Sequence, residues 1–281
     1  MLPVLFDLKN IKIYTFGVFL VLAFFWGCFT LWKNVRLTAH KEEEIFDGLF
    51  VSMFGGIFVG RLIYVSLNFK DFGIDILKFI LINGYPGLSL YGMLLGFFGS
   101  LYFFFNSKKI KFSQMADYFI SPIFLALAFA KLGSFFSGTE VGTKSKIFLS
   151  VKYTGYDGFR HLTAFYEAII FFIGAYIAQK LIFEIRKEKY QQGLVLYFFI
   201  WVFSLTTLLF DQIKEQHLAV YGQSFNRLAS IFLLLTFSLY FIYYFKSFIS
   251  KRFAGIINYF TKHGKKIIKT VHRHPKKEVG S

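Results

Sequence analysis

Long apolar stretches separated by short polar segments dominate the chain. Seven of them are long enough to cross the hydrocarbon core of a bilayer, at roughly residues 11–32, 45–67, 87–106, 114–137, 162–183, 192–211 and 225–248. Each is expected to be a helix, because lipid offers no hydrogen-bond partner to the backbone of an open strand or an irregular loop. The pattern therefore predicts an all-α polytopic membrane protein with about seven transmembrane helices.

Composition supports the same class. Of the 281 residues, 56% are hydrophobic, 22% are aromatic and only 17% are charged, which excludes an ordinary soluble domain. The single cysteine, Cys28, lies inside the first apolar stretch, so it cannot form an intrachain disulfide or a cysteine metal cluster. His263, His272 and His274 near the C-terminus lack acidic or cysteine partners, so no metal site is expected there.

Basic residues are distributed unequally between the two sides of the membrane. Lysine and arginine concentrate after the first, third and fifth spans and in the C-terminal segment. This asymmetry predicts that the N-terminus is outside and the C-terminus cytoplasmic. The expected organisation is a transmembrane domain over 1–250, with an external loop at about 139–161, followed by a basic cytoplasmic tail over 251–281 that lies on the inner leaflet or is disordered. The net charge of +16 follows from this asymmetry, so no nucleic-acid partner is expected.

Two cations lie beside glycine at the edge of hydrocarbon depth. They are Arg61, in GGIFVGRLIYV, and Lys131, in ALAFAKLGSFFSG. A full charge at this depth is costly, which makes each residue a functional-site candidate. The alternative is a side chain that extends to the headgroups and has no further role. The presence of two such cations favours an anionic ligand, and the abundant anion of a bilayer is the lipid phosphate.

Seven motifs occur in a fixed order along the chain. They are IYTFG at 13–17, VGRLIYV at 59–65, GLSLYGMLLG at 87–96, ADY at 116–118, AKLGSFFSG at 130–138, RHLTAFYE at 160–167 and YGQ at 221–223. Each motif is weak alone, but their order and spacing resemble those of the bacterial prolipoprotein diacylglyceryl transferase family over nearly the whole chain.

The resemblance implies an enzyme of the bacterial inner membrane that needs no cofactor. It would move the diacylglyceryl group of phosphatidylglycerol, or of another anionic phospholipid, onto the lipobox cysteine in the signal peptide of a preprolipoprotein. Glycerol phosphate would leave, and fixed cations would stabilise its developing charge. Because the substrate carries the reacting thiol, Cys28 needs no catalytic role.

The resemblance assigns catalytic roles to five residues. Arg61 and Arg160 match family arginines and are expected to contact phosphate, whereas Lys131 replaces an arginine and offers only a point charge. Tyr91 occupies a position that is histidine or tyrosine in the family, and a phenol with an ordinary pKa of about 10 suits donation or orientation better than base catalysis. Glu167 is expected to orient Arg160 or His161, the alternative being a carboxylate that merely favours a helix N-terminus.

The resemblance also implies a wider substrate-binding set. Tyr14 and Tyr166 are alternatively aromatic anchors at the membrane interface. The complete set is Tyr14, Ser134, Ser137, Gly138, His161, Tyr166, Asp211 and Arg227.

Several positions depart from the family pattern. Ser134 and Ser137 stand where the signature has asparagine. Thr139 replaces its glutamate, unless Glu140 takes that role through a shift of one residue. In the sixth span, Thr207 falls at the position of a family arginine.

Three classes of function stay open at this stage. They are an active lipid transferase, a catalytically degenerate relative that binds lipid, and a small-solute transporter. The transporter class predicts inverted repeats or broken helices, and the sequence shows neither. If the chain is a transferase, Lys214 or Arg227 is expected to replace the missing arginine, and Arg61, Tyr91 and Lys131 are expected to line one cavity together with Arg160.

Overall fold

The computed structural model describes residues 2–9, 11–82, 84–215, 219–220 and 223–246. The first part of the chain forms β1 (Val4–Leu8), β2 (Ile11–Tyr14), α1 (Thr15–Val35), α2 (Glu42–Leu67), α3 (Phe69–Phe72), α4 (Ile76–Ile80) and α5 (Leu90–Ser107). The second part forms α6 (Phe112–Ser137), β3 (Ser150–Lys152), β4 (Phe159–His161), α7 (Thr163–Arg186), α8 (Leu194–Asp211), β5 (Ala219–Val220), β6 (Gln223–Ser224) and α9 (Phe225–Tyr244).

Seven of these helices are long and apolar enough to cross a membrane, which confirms the predicted number and the helical class. They are α1, α2, α5, α6, α7, α8 and α9. The orientation of the termini stays a prediction. The basic tail over 251–281, with its histidines, lies outside the described residues, as does most of the YGQ motif at 221–223.

Three short antiparallel strand pairs accompany the helices, and hydropathy did not predict them. They are β1 with β2, β3 with β4, and β5 with β6. Each strand has at most five residues, so none is long enough to give a clear alternating pattern. All three pairs lie in the sequence immediately before a spanning helix.

Helix α6 lies at the centre of the helical packing, against α1, α7, α8 and α5. Phe124 is fully buried, and its ring meets those of Phe171 and Phe199 at centroid distances of 6.1 and 4.9 Å. Such aromatic contacts stabilise beyond the area that they bury. Because α6 packs on several sides, its position is fixed. The polar side chains at its C-terminal end are therefore fixed as well.

Asp117, in the ADY motif, fixes the start of α8 from within α6. Its carboxylate accepts hydrogen bonds from the backbone N–H groups of Gly193 at 2.6 Å and Leu196 at 3.0 Å. These groups belong to the first turn of a helix, where intrahelical partners are missing. The residue is therefore a helix cap in this fold.

A second polar contact joins α1, α6 and α7 near the same end of the bundle. Asn34 is buried and donates from Nδ2 to the carbonyl oxygen of Tyr118 at 2.9 Å. Gln179 donates from Nε2 to Oδ1 of Asn34 at 3.0 Å. These amides set the register of three helices in a region where apolar packing alone permits sliding.

Helices α2 and α5 approach each other through glycine. A Cβ added to Gly96 would lie 2.6 Å from the Cβ of Val59 and would clash with the carbonyl oxygen of Gly55. A Cβ added to Gly92 would lie 3.0 Å from the Cα of Gly60. Small residues at such a crossing let two membrane helices pack closely.

By its contacts the chain divides into two units, residues 1–234 and 235–281. The first unit contains α1 to α8 and the beginning of α9. In the second unit the described residues continue α9, where the rings of Tyr240 and Tyr244 stack at a centroid distance of 5.8 Å.

We predict that Gly96→Ala loosens the α2–α5 contact, whereas Gly99→Ala does not. Both positions lie in α5, but a Cβ at Gly99 meets no atom within 4 Å. Thermal unfolding in detergent micelles should show a midpoint several degrees lower for Gly96→Ala and an unchanged midpoint for Gly99→Ala. Equal midpoints for the two variants would show that the glycine contact does not limit packing.

Candidate active site

Lys131 is the centre of a buried group of charges at the C-terminal end of α6. Its Nζ contacts both carboxylate oxygens of Glu140, at 2.6 and 2.7 Å, and Oε2 of Glu167 at 2.6 Å. Glu167 lies one turn into α7, and only 3% of its side chain is exposed. A carboxylate buried to this degree requires opposite charges close by.

Lys214 completes this group, which we call the charge cluster: Lys131, Glu140, Glu167 and Lys214. The Nζ of Lys214 lies 2.7 Å from Oε1 of Glu167 and 3.3 Å from Oε2 of Glu140. Each carboxylate thus bridges both lysines. With two positive and two negative groups, the charge cluster is formally neutral.

The segment after α6 carries Glu140 to the lysines. Gly138 adopts φ +75°, a left-handed conformation that suits glycine, and its N–H donates to the carbonyl oxygen of Ser134 at 3.0 Å to end the helix. Ser137 donates from Oγ to the same carbonyl oxygen at 3.3 Å. Thr139 lies 3.2 Å from Ser137, hydroxyl to hydroxyl, so Thr139 does not take the position that Glu140 occupies beside Lys131.

Three chain segments meet beside the charge cluster. The N–H of Thr143 donates to the carbonyl oxygen of Ile213 at 2.8 Å. The N–H of Glu215 donates to the carbonyl oxygen of Val141 at 3.0 Å. A Cβ on Gly142 would lie 2.8 Å from the Cβ of His161, so only glycine fits there without displacement. The segments after α6, before α7 and after α8 are thereby held together.

Arg160, on β4, belongs to the same meeting point. Its Nη1 donates to the carbonyl oxygen of Gly142 at 3.1 Å and to Oε2 of Glu215 at 2.7 Å, and the guanidinium lies 4.7 Å from the centroid of the Tyr156 ring. Within the described part of the chain, Arg160 Nε and Thr163 Oγ1 are buried without a hydrogen-bond partner. Donors in this state suit an additional anionic or carbonyl acceptor.

Tyr91 forms a second polar group near the start of α5. Its hydroxyl lies 2.6 Å from Oγ of Ser230, and the hydroxyls of Ser204 and Thr207 lie beside it. Asp211 is buried and acts electrostatically on the same phenol. Thr207, the position expected for an arginine, therefore lies next to Tyr91.

An apolar cavity of about 330 Å³ lies between α1, α2, α5 and α6. Leu90 and Ala130 line it, and they immediately precede Tyr91 and Lys131 in the sequence. At its other end the lining includes Leu31 and Phe119. Cys28 is also a lining residue. The cavity thus runs along the apolar length of these four helices, and its lining ends at the residues that precede Tyr91 and Lys131 in the sequence.

A family model described as prolipoprotein diacylglyceryl transferase matches residues 3–271. The chain belongs to this family.

Individual relatives agree with this assignment. A protein of Clostridium tetani named phosphatidylglycerol–prolipoprotein diacylglyceryl transferase is 29% identical over 208 residues, which cover 72% of this chain and 81% of the relative. Relatives with the same name occur in Clostridioides difficile, 25% identical over 215 residues covering 76% and 84% of the two chains, and in Clostridium botulinum, 24% identical over 250 residues covering 86% and 96%. The chain is thus a multi-pass bacterial membrane protein.

Some of the predicted site residues lie together in the structure, and others have different partners from those expected. Lys131 and Glu167 share the charge cluster with Glu140 and Lys214, and Arg160 lies beside it. The expectation that Glu167 orients Arg160 or His161 is wrong: Glu167 pairs with the two lysines, while Arg160 pairs with Glu215. Of the two cations expected to replace the family arginine, Lys214 reaches the charge cluster.

Arg61 has partners of a different kind from those expected. Its Nε, Nη1 and Nη2 donate to the carbonyl oxygens of Phe79 at 2.9 Å, Gly87 at 2.8 Å and Lys78 at 2.6 Å, and its guanidinium lies 5.0 Å from the centroid of the Phe72 ring. These carbonyls belong to the segment between α2 and α5. Arg61 therefore fixes the connection that leads into α5, the helix of Tyr91, and its expected contact with phosphate stays a prediction.

The remaining candidates lie at the periphery. Tyr14 is exposed on β2, and Arg227 is exposed in the first turn of α9. Tyr166 donates from its hydroxyl to the carbonyl oxygen of Leu149 at 2.7 Å. Sequence reasoning did not single out Glu215, and its only signal was an acid next to Lys214 just after a span. No group of three or more His, Cys, Asp or Glu side chains able to hold a metal ion occurs in the part of the chain that the structure describes.

The ionisation of Glu140 follows from its neighbours. Burial alone would raise its pKa, but the charges of Lys131 and Lys214 outweigh burial and hold the pKa well below its ordinary value. Glu140 is therefore a carboxylate at neutral pH and a poor general base. Because the pKa is lower in the folded chain, the ion pairs stabilise the fold at neutral pH, and this stabilisation is lost as the pH falls from about 4 towards the lowered value.

We predict that Lys131→Met destabilises the fold through uncompensated charge. Glu167 then keeps one lysine instead of two, and removing one partner of a buried pair costs about 3 kcal/mol. The double variant Lys131→Met, Glu140→Gln restores neutrality, so its thermal midpoint in detergent should return most of the way to that of the parent. Lys146→Met, which removes an exposed lysine from the same loop, is the matched control. A parental midpoint for Lys131→Met alone would contradict the prediction.

Proposed function

We propose that this chain transfers the diacylglyceryl group of phosphatidylglycerol to the lipobox cysteine of prolipoproteins in the bacterial inner membrane. The observation that carries the proposal is a buried charge cluster at the C-terminal end of α6, together with an apolar cavity that the same helix lines as far as Ala130, the residue before Lys131. A phospholipid has the same division between an anionic headgroup and hydrocarbon chains. The names of the family relatives agree with this choice of substrates.

The apolar cavity suits the acyl chains of the donor lipid. Along α6 its lining runs from Phe119 to Ala130, a distance of about 16 Å at the rise of an α-helix. The lining side chains at both ends are apolar, as in other sites for hydrocarbon ligands. With its chains in this cavity, a lipid would hold its glycerol carbons near Tyr91 and Lys131.

The phosphate would bind by exchange with carboxylates. Lys131, Lys214 and Arg160 are nearly buried, whereas 31% of the Glu140 side chain and 42% of that of Glu215 are exposed. Among the acids that pair with these cations, Glu140 and Glu215 are therefore the accessible ones. A lipid phosphate that displaces them would meet cations already in position, and the buried positive charge would stay neutralised throughout the exchange.

In the proposed reaction the substrate thiol sulfur bonds to the terminal glycerol carbon of the diacylglyceryl group. The bond between that carbon and the phosphate oxygen breaks, and glycerol phosphate leaves with the bonding electrons. The thiol proton passes to water or to the released phosphate, which balances the charge. Lysine and arginine would stabilise the phosphate as its charge increases, and Tyr91 would donate to or orient a reacting group.

A catalytically degenerate lipid-binding relative is the second candidate. The observation that favours it is Thr207, which lies beside Tyr91 where an arginine is expected from the family pattern. Such a protein would bind phosphatidylglycerol through the same cavity without transferring its diacylglyceryl group.

We predict that radiolabelled diacylglyceryl transfer to a lipobox peptide depends on Lys131. Lys131→Arg should keep or improve the rate, because guanidinium binds phosphate in a bidentate manner, and Lys131→Met should reduce the rate by roughly 100-fold or more. The double variant Lys131→Met, Glu140→Gln should fold normally yet remain inactive, which separates loss of chemistry from loss of fold. Lys146→Met should retain parental activity. Normal transfer by the double variant would exclude Lys131 from catalysis.

We predict that Lys214, and not Arg227, replaces the missing arginine. Lys214 contacts the charge cluster, whereas Arg227 is exposed. Lys214→Gln, combined with Glu140→Gln so that the charge cluster stays neutral, should lower transfer by about 100-fold or more, the usual effect of losing one preorganised contact to a developing charge, while Arg227→Gln should leave it unchanged. Transfer that appears only in Thr207→Arg, from an inert parent, would identify the chain as the degenerate relative.

A further inference from the structure

The loop between α6 and α7 presents three consecutive large apolar side chains at its surface. These are Ile147, Phe148 and Leu149, which we call the loop tip. Phe148 is 99% exposed, and its two neighbours are more than half exposed. A contiguous apolar patch on a protein surface commonly marks a contact with a membrane or a partner.

Hydrogen bonds hold the loop tip in one conformation. The N–H of Ile147 donates to Oγ of Ser145 at 3.1 Å, and Ser150 donates from Oγ to the carbonyl oxygen of Ile147 at 2.7 Å. The Tyr166 hydroxyl donates to the carbonyl oxygen of Leu149 at 2.7 Å. These hydrogen bonds therefore fix the turn that exposes the three apolar side chains.

The bond from Tyr166 also fixes the depth of the loop tip. Tyr166 lies in the first turn of α7, a membrane-spanning helix, and tyrosine at the end of a span typically lies at headgroup level. Leu149 is therefore held where α7 leaves the hydrocarbon. Phe159 at the start of β4 is also exposed, and its carbonyl oxygen accepts from the N–H of Ser145 at 2.8 Å, so it extends the apolar surface beside the same turn.

Positive charge flanks the loop tip on both sides. Lys144 and Lys146 precede it, Lys152 follows it, and all three are exposed. Basic residues beside an apolar segment at headgroup depth match the anionic lipids of a bilayer surface, where hydrocarbon lies immediately below negative charge.

We propose that the loop tip inserts into the leaflet on the side of the charge cluster, with the three lysines against anionic phospholipid headgroups. The occupant of this surface is the bilayer itself. β3 follows the loop tip directly and pairs with β4, where Val151 lies opposite Arg160. Insertion therefore holds the hairpin that carries Arg160 against the leaflet. This inference concerns membrane contact and holds whether or not the chain transfers lipid.

Site-directed labelling in vesicles tests the proposal. In a Cys28→Ser background, the full chain would carry a single environment-sensitive fluorophore at Phe148→Cys or at Asp157→Cys, an exposed position in the turn between β3 and β4. In phosphatidylglycerol-containing vesicles the label at 148 should emit at shorter wavelength. It should also be quenched by lipids carrying a nitroxide near the headgroup, and show several-fold less quenching by aqueous iodide than the label at 157.

Equal iodide quenching at the two positions would overturn the proposal. Protection at 148 that disappears when the protein is diluted in lipid would identify a second copy as the occupant, and protection that requires added lipobox peptide would identify the peptide. Either result would also overturn it.

The contribution of the lysines is tested separately. Changing Lys144, Lys146 and Lys152 together to glutamine should increase quenching at 148 by acrylamide, an uncharged aqueous quencher, in phosphatidylglycerol vesicles and leave it unchanged in phosphatidylcholine vesicles. The same change in both lipids would overturn the electrostatic part of the proposal.

Discussion

Glu167 lies almost entirely out of water, within a protein that is itself inside a membrane, and its negative charge has to be balanced locally. Lys131, in α6, and Lys214, in the segment after α8, provide the balance, and Glu140 neutralises the charge that remains. This requirement explains why α6 ends sharply at Gly138 and why the segment after α8 lies against the loop. The geometry of the site is thus a consequence of charge neutralisation.

Different interactions stabilise different parts of the helical bundle. At one end of the bundle, Asp117 and Asn34 use hydrogen bonds to fix helix positions. Glycine contacts between α2 and α5 and aromatic packing around α6 stabilise the membrane interior. The helix packing at these positions does not involve the charge cluster at the other end of the bundle.

Hydropathy predicted the spans correctly because membrane insertion is decided by local composition. It also drew attention to Lys131, whose charge is anomalous at that depth. The partners of Arg61 could not be read from the sequence, since they are backbone carbonyls of a segment with no motif. Likewise, the role of Glu140 rather than Thr139 depends on the turn at Gly138, and Glu215 reaches Arg160 only through contacts between distant segments.

The crossing of three segments at Gly142 has a consequence for biogenesis. Lys131, Glu140 and Glu167 emerge from the ribosome before Lys214, so the partly synthesised charge cluster carries one excess negative charge. Only when α8 has entered the membrane and the chain has continued past Asp211 does the second lysine arrive. Maturation of the site is therefore tied to insertion of the sixth span, and a nascent chain that stops earlier lacks the charge that allows Glu167 to be buried.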